Sequence, residues 1–276
     1  MSNKVYFDTN SLRVIGRALE NAALPNGIRD AIVLSPLSAL EVMSQLTIAK
    51  ADEVLQEIHS MRNWLRPLDA DILPWPDDVL AKTGFGKILK TIDVAKTIGA
   101  TLIECLSVTS ITSELKFKVI KLKKLLDKVK RGNAHSFDRL LKSARNDPQI
   151  DRWFSEKFFR ETAIGVGADP NLSTVAEFVT SFSAYHDFER VKLQVALNSK
   201  NYNTMKHQND LFDAEQLIYL GFPQLYFLTC DKGFRRVDRS AQAPRIIVVS
   251  HEDLSDAEKV EALLRDIIGS PRLANI

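Results

Sequence analysis

Short apolar runs followed by amphipathic segments occur near both ends of this chain, and this alternation restricts its fold more than any other feature. Strands that alternate with helices form parallel sheets covered by helices on both faces. We therefore predict an α/β domain built from the two ends. Its predicted strands are 4–7, 31–34, 225–229 and 245–249, and its predicted helices include those that begin near Leu12 and Pro36 and those over 209–220 and 253–268.

The middle of the chain has almost no strand pattern. Helical periodicity is found instead over 101–130, 134–144, 150–163 and 172–198. We predict a discontinuous sheet domain formed by residues 1–50 and 202–276, with an all-helical insertion over residues 51–201. Four strands make a thin sheet, so a further strand near Pro74-Trp75-Pro76 stays open.

Composition places the chain among ordinary globular proteins. Of its 276 residues, 45% are hydrophobic and 26% are charged, and the net charge is only +2, so any surface that binds a polyanion must be local. There is no apolar run long enough for a membrane helix and no signal-peptide pattern at the start, which favours a cytoplasmic protein. Cys105 and Cys230 are predicted to be free thiols, without a zinc motif.

Four acidic residues follow or flank the predicted strands. Asp8 and Asp231 come directly after strand candidates, Glu41 lies on the second helix, and Asp213 begins the helix that leads to the third strand. Ligands of open parallel sheets bind at the carboxyl ends of the strands, so these four side chains are predicted to converge there. Taken singly, each acid also fits an ordinary role as a helix cap, a turn residue or a solvated residue.

The motifs around these acids resemble those of the PIN-domain nucleases. The matching segments are Asp8-Thr9-Asn10, Ser38-Ala39-Leu40-Glu41, Asp213-Ala214 and Leu228-Thr229-Cys230-Asp231-Lys232-Gly233-Phe234, and they cover only the two ends of the chain. The resemblance implies a three-layer α/β/α fold and metal-dependent cleavage of RNA. It also implies that Asp8, Glu41, Asp213 and Asp231 bind Mg²⁺ or Mn²⁺, supported by Asn10 and Thr229, with Asp210 as a competitor for the role of Asp213.

The chemistry of carboxylates favours the same function. Hard divalent cations prefer carboxylate oxygens, and they lower the pKa of bound water and stabilise a leaving oxygen. Together with the resemblance, this chemistry predicts a metal-dependent endoribonuclease. The alternatives are a DNA-directed nuclease, a non-catalytic module that binds nucleic acid or protein, and an aspartyl phosphatase, which is disfavoured because Asn10 stands where that class has a second Asp.

The segment 116–131 carries eight basic residues against one acid, Asp127. Its apolar residues follow helical spacing and predict a seam that packs on other helices; they are Leu115, Val119, Leu122, Leu126 and Val129. The opposite face predicts contact with an RNA backbone, or else a solvated face or a site for an acidic protein. The candidate phosphate-binding residues are Lys116, Lys121, Lys124, Lys128 and Arg131, with Lys232 beside the acids.

Three further expectations complete the sequence interpretation. The stripe formed by Phe178, Phe182 and Tyr185 is predicted to lie in the core rather than to stack on bases, and His207 is predicted to lie on the surface. No membrane contact is expected. Which nucleic acid is cut, whether a protein inhibitor of the antitoxin kind binds the chain, and whether it forms a homodimer stay open.

Overall fold

The computed structural model describes residues 2–22, 24–47, 50–65, 72–81, 93–147, 149–165 and 172–270. Within these ranges the protein is mixed α/β, as predicted, with a small parallel sheet among many helices. No helix in the described ranges is long and apolar enough to cross a membrane. The sheet has the order β1-β2-β3, with β1 at Lys4–Phe7, β2 at Leu225–Thr229 and β3 at Ile246–Val248.

The helices lie before, between and after these strands. They are α1 (Thr9–Ala18), α2 (Asn26–Arg29), α3 (Pro36–Ser44), α4 (Ala51–Ser60), α5 (Pro76–Ala81), α6 (Val94–Ser107), α7 (Ser113–Asn146), α8 (Glu156–Gly165), α9 (Leu172–Ser181), α10 (Ser183–Asn198), α11 (Gln208–Ala214), α12 (His251–Leu254) and α13 (Ala257–Gly269). Short 3₁₀ helices occupy Gln45–Thr47, Ile150–Phe154, Glu215–Gly221, Lys232–Arg236 and Ala243–Arg245.

The register of the sheet brings the ends of β1 and β2 together. Phe7 pairs with Leu228 in a parallel ladder, so both strands finish at the same edge. All residues of β2 are buried, as expected for a central strand covered on both faces. Residues that directly follow β1 and β2 therefore share one edge of the sheet.

The predicted strand over 31–34 was wrong as a full strand. The run makes only two isolated parallel bridges, from Ile32 to Val5 and from Leu34 to Ile72. It extends the sheet beyond β1 but is confined between α2, which ends at Arg29, and Pro36, the first residue of α3. A further strand near Pro74 was left open by the sequence. In the structure, Ile72 pairs with Leu34 through a single bridge, so this segment reaches the sheet without forming a strand there.

The helix predicted over 101–130 has different limits. It is interrupted after Ser107, because the largely β-branched run 108–112 leaves the helix and the Thr112 hydroxyl caps the next one by accepting from the Leu115 amide at 3.1 Å. From there α7 continues to Asn146 without a break. Gly132 is exposed within it, at a cost of about 1 kcal/mol that the packed helix tolerates.

Four predicted helices of the C-terminal half are each divided. The segment 150–163 is a 3₁₀ helix followed by α8, and 172–198 is split between α9 and α10. The segment 209–220 is α11 followed by a 3₁₀ helix, and 253–268 is split between α12 and α13. The last division has a clear cause, since the Asp256 carboxylate caps α13 by accepting from the amides of Glu258 and Lys259 at 3.0 and 3.2 Å.

The predicted seam of α7 packs into the main core. Leu115, Val119, Leu122 and Leu126 are buried in the same apolar cluster as Phe227 of the central strand. Helix α7 contacts both α3 and α11. The middle of the chain therefore packs directly on the two helices that carry Glu41 and Asp213.

Three smaller predictions are confirmed. Phe178 and Phe182 are buried in the core cluster, and Tyr185 packs against it. Cys105 and Cys230 are free thiols. His207 lies on the surface as expected, with its side chain nearly half exposed and stacked on Tyr202.

Candidate metal centre

Asp8 stands at the point where β1 passes into α1. Its extended backbone makes it the N-cap of α1, and its Oδ1 atom accepts from the Ser11 amide at 2.9 Å. Its Oδ2 atom accepts from the Thr229 hydroxyl at 3.0 Å. Burial raises the pKa of Asp8, the hydrogen bonds from Ser11 and Thr229 oppose that rise, and nearby Asp231 adds to it.

Thr229 joins Asp8 to Asp231. It is the last residue of β2 and is fully buried, and its Oγ1 atom donates to Asp8 while accepting from the Asp231 amide at 3.0 Å. Asp231 itself is exposed, and its Oδ1 atom accepts from the Gly233 amide at 2.7 Å. One hydroxyl thus links the two strand-end aspartates.

Glu41 reaches the same edge from α3. A buried polar network holds this helix against β1, in which the Ser38 hydroxyl donates to the Phe7 carbonyl at 2.7 Å and accepts from Gln216 Nε2 at 2.9 Å. The Thr9 hydroxyl donates to Glu41 Oε2. Residues of α1 and α3 are therefore tied together beside Asp8.

Asp213 lies on α11 and is the fourth acid. Burial raises its pKa well above the usual range, and Glu41, Asp8 and Asp231 raise it further. Asp213 is thus within electrostatic reach of the other three predicted acids. Among the described residues, the partly buried Asp213 carboxylate has no hydrogen bond or ion pair.

Asp210, the competitor, turns away from this group. Its carboxylate pairs with Lys192 Nζ at 2.9 Å and lies 3.5 Å from Nδ1 of His207. One turn of α11 therefore separates an acid paired with Lys192 and His207 from one that is within electrostatic reach of the other carboxylates.

Lys130 is a member of the site that the sequence interpretation missed. Its Nζ atom pairs with Glu41 Oε1, donates to Asn209 Oδ1 at 2.9 Å and lies 4.9 Å from the centre of the Phe212 ring. Its charge lowers the pKa of Asp213. The sequence feature that could have identified Lys130 is its position four residues after the buried Leu126. This spacing places the lysine on the packed side of α7 rather than on its solvated face.

Three of the four carboxylates are satisfied separately. Asp8 accepts from Ser11 and Thr229, Glu41 is engaged by Thr9 and Lys130, and Asp231 accepts from Gly233. In the part of the chain that the structure describes, no three His, Cys, Asp or Glu side chains are grouped closely enough to hold a metal ion. The oxygen chemistry suits a hard cation, and binding one requires some of these side chains to reorient.

The other predicted residues lie as follows. Asn10, expected to support the acids, is exposed on α1, and the neighbouring Thr9 and Ser11 make the supporting contacts instead. This difference arises because the cap geometry of Asp8 turns the first helical turn so that residues on either side of Asn10 face inward. Lys232 is exposed beside Asp231, and so are the five predicted phosphate-binding residues of α7: Lys116, Lys121, Lys124, Lys128 and Arg131.

Comparison with known proteins gives no match: no family model, curated protein or solved structure is significantly similar to this chain.

Proposed function

We propose that this protein is a metal-dependent endoribonuclease with a PIN-like, three-layer α/β/α catalytic domain and a large helical insertion. The observation that supports the proposal is that Asp8 and Asp231 follow two paired parallel strands at one edge of the sheet, joined through the Thr229 hydroxyl, and that both act electrostatically on Asp213, as does Glu41. Edges of this kind bind ligands in open α/β sheets. The order and type of these acids also match the PIN resemblance in the sequence.

The donor set fits Mg²⁺ or Mn²⁺, because all four side chains offer hard oxygen ligands. Asp8, Glu41, Asp213 and Asp231 would supply these oxygens. A bound divalent cation would polarise the phosphoryl group and lower the pKa of an attacking water molecule. The protein's own part is to fix the acids, as Thr229 does for Asp8 and Asp231.

The electrostatics support a cation-binding role. Burial and, to a smaller extent, three neighbouring acids raise the pKa of Asp213, so ionising this group in the folded protein costs free energy. A divalent cation would offset that repulsion. The alternative roles for these acids are helix caps and turn residues. Those roles do not explain why the Asp213 carboxylate, which has no hydrogen-bond donor among the described residues, lies within electrostatic reach of the other three.

The exposed face of α7 supports a nucleic-acid substrate. Lys118 is paired with Glu104 and Glu114, whereas Lys124 and Lys128 have no ion pair among the described residues. Together with Lys121 and Arg131 they recur at a spacing of three and four, which forms one cationic stripe. This stripe ends at Arg131, one residue beyond Lys130. A nucleic-acid backbone bound along the stripe would therefore approach the acidic group around the side of the helix.

Labelled RNA and DNA incubated with purified protein and Mn²⁺, Mg²⁺ or a chelator test the proposal. We expect RNA cleavage that requires a metal and is lost in Asp8→Asn and Asp213→Asn. The matched control is Asp210→Asn, on the same helix as Asp213, which should retain activity within a fewfold range. Equal loss in Asp210→Asn and Asp213→Asn, or unchanged cleavage by a folded Asp8→Asn variant, would refute the assignment; cleavage of DNA alone would change the substrate.

A second candidate function is a non-catalytic nucleic-acid binding module. The observation that favours it is the pairing of Glu41 with Lys130, which occupies one of the four acids with a protein cation. Calorimetric titration with Mn²⁺ separates the two functions, because a binding module of this kind should show no saturable metal binding while still binding RNA in a salt-dependent way.

A further inference from the structure

The cationic stripe of α7 is continued by an exposed aromatic residue, Phe117. Phe117 stands four residues before Lys121, and the stripe goes on at spacings of three, four and three through Lys124, Lys128 and Arg131. Residues three and four apart lie on one side of a helix, so these five side chains share a face. The buried seam of α7 runs along the opposite side.

Phe117 places a ring in solvent at the start of this face. The residue is 57% exposed, and it is the only aromatic one among the large hydrophobic residues exposed in the described ranges. The Nζ atom of Lys121 lies 4.4 Å from the centre of the ring and covers one of its two faces. A single exposed apolar residue is ordinary, but a ring in line with four cations is a surface with a defined chemistry.

The cations of the stripe are not neutralised by the acids of their own helix. Each acid of α7 is paired with a lysine outside the stripe: Glu114 with Lys118 at 3.0 Å, Asp127 with Lys123 at 3.6 Å and Asp138 with Lys142 at 2.7 Å. No residue of the stripe has an ion pair within the described part of the chain. The face therefore presents four positive charges to an anionic partner.

A line of positive charges with a ring at one end fits a single strand of nucleic acid. The cations neutralise its phosphates, and an unstacked base can stack on the ring. In a duplex the bases are stacked on one another, so their faces are closed to Phe117. An acidic protein complements the charges but offers no planar group for the ring.

We propose that Phe117 and the cationic stripe form a binding site for single-stranded RNA, in which one base stacks on Phe117 and the stripe neutralises the neighbouring phosphates. This inference rests on the proposed ribonuclease function and adds a second contact with the substrate, about 20 Å along α7 from Lys130. With about 3.4 Å of axial rise per nucleotide in a stacked strand, an RNA that reaches from Phe117 to the acidic group needs about six nucleotides.

Fluorescence anisotropy with a labelled single-stranded RNA longer than this, in the presence of a chelator, measures binding without metal-dependent cleavage. Phe117→Ala removes the ring at an exposed helical position, where alanine favours the helix, and Phe117→Tyr puts a ring back. Lys128→Gln removes one charge from the stripe. Its matched control is Lys123→Gln, which removes the same charge from a lysine of α7 that pairs with Asp127. Circular dichroism checks that each variant is folded.

We expect Phe117→Ala to weaken RNA binding by about 5- to 150-fold through the loss of one stacked base, and Phe117→Tyr to restore it. The salt dependence should separate the ring from the charges. Phe117→Ala should leave the slope of log K against log salt unchanged, because the ring contacts no phosphate. Lys128→Gln should reduce the magnitude of this slope by about 0.7, the value for one phosphate contact on a single strand, whereas Lys123→Gln should leave it unchanged.

Four results would overturn the inference. The folded Phe117→Ala variant could bind single-stranded RNA as tightly as wild type, or it could lose as much affinity for duplex RNA as for the single strand. Lys128→Gln and Lys123→Gln could change the salt slope equally. A polyglutamate peptide could displace the RNA at the same concentration of charge as unlabelled RNA does, which would assign the face to an acidic protein.

Cleavage assays separate this inference from the nuclease proposal. Phe117→Ala should raise KM for long RNAs and leave kcat unchanged, because the ring lies far from the reacting bond. Metal-dependent cleavage that is lost in Asp8→Asn, with unchanged RNA affinity in Phe117→Ala, rejects only the site at Phe117. RNA binding that depends on Phe117, without cleavage in Mg²⁺ or Mn²⁺, rejects the nuclease proposal and keeps the binding site.

Discussion

Replacing Thr229 by Val tests the hydroxyl that links the two strand-end aspartates. Valine has almost the same shape as threonine but can neither donate to Asp8 Oδ2 nor accept from the Asp231 amide, both of which lie at 3.0 Å. Thr229 is fully buried, so no water molecule from solvent takes the place of the lost hydroxyl. We expect a well-folded but clearly less stable protein.

The magnitude follows from the two hydrogen bonds. A bond to an ionised carboxylate contributes about 1.5–3 kcal/mol and a neutral one about 0.5–1.5 kcal/mol, so Thr229→Val should lower the free energy of unfolding by about 2–4 kcal/mol. Thr229→Ser is the matched control, because it keeps the hydroxyl and loses only one buried methyl group, at a cost of about 1 kcal/mol.

The loss in the free energy of unfolding caused by Thr229→Val should grow as the pH rises. Burial already raises the pKa of Asp8, and the Thr229 hydrogen bond opposes that rise. Removing the hydroxyl raises this pKa further, so ionising Asp8 becomes more costly in the variant. The stability gap between wild type and Thr229→Val should therefore be smallest in acid, where Asp8 is protonated in both, and should widen as the pH rises through the folded-state pKa.

Urea denaturation followed by circular dichroism at several pH values measures these quantities. The reasoning is refuted if Thr229→Val is no less stable than Thr229→Ser at pH 8. It is also refuted if the gap between wild type and Thr229→Val narrows as the pH rises, because the hydroxyl would then not be stabilising an ionised Asp8.

Three further predictions concern stability. Asp213→Asn should make the metal-free protein more stable than wild type at pH 8 and equally stable near pH 4, since burial and three nearby acids raise the pKa of Asp213; equal stability at both pH values in urea titrations contradicts this. Burial raises the pKa of Glu215 to about 7, so the stability that its protonated form gives is present in acid and is lost as the pH rises from about 4.5 through 7. Glu215→Gln, which can still accept from Asn133, should remove up to about 3 kcal/mol of this decline in the free energy of unfolding. An unchanged dependence of the free energy of unfolding on pH in the variant would count against this prediction. Leu126→Ala should lower the free energy of unfolding by about 2–5 kcal/mol because it leaves a cavity in the α7 seam, whereas a loss under 1 kcal/mol in urea denaturation would mean that α7 does not pack on the core.

The sequence alone predicted the elements whose signal is local. β1 and β2 have the predicted limits because their apolar runs are bounded by polar residues that cap or turn the chain. The seam of α7 was also predicted correctly, since helical spacing identifies the buried face before its partners are known. Asp8 and Asp231 could be placed at one edge from their positions after two parallel strands.

Helix limits and the second strand were less predictable because they depend on competition between neighbouring signals. The run at 31–34 is as apolar as a strand, but α2 before it and Pro36 after it leave room for only two isolated bridges. Thr112 begins α7 through its side-chain hydrogen bond, which decided where the long helix starts.

The sequence by itself determined which residue types meet the sheet edge, because strand ends and helix faces follow from local pattern and from the parallel pairing. Only the tertiary structure decided that Asp213 rather than Asp210 faces the other acids, and that Lys130 joins them. Lys130 lies 89 positions from Glu41 and 79 from Asn209, and its direction is fixed by the packing of α7 between α3 and α11. Contacts of that kind depend on how distant helices rotate against one another, which the periodicity of a single helix does not specify.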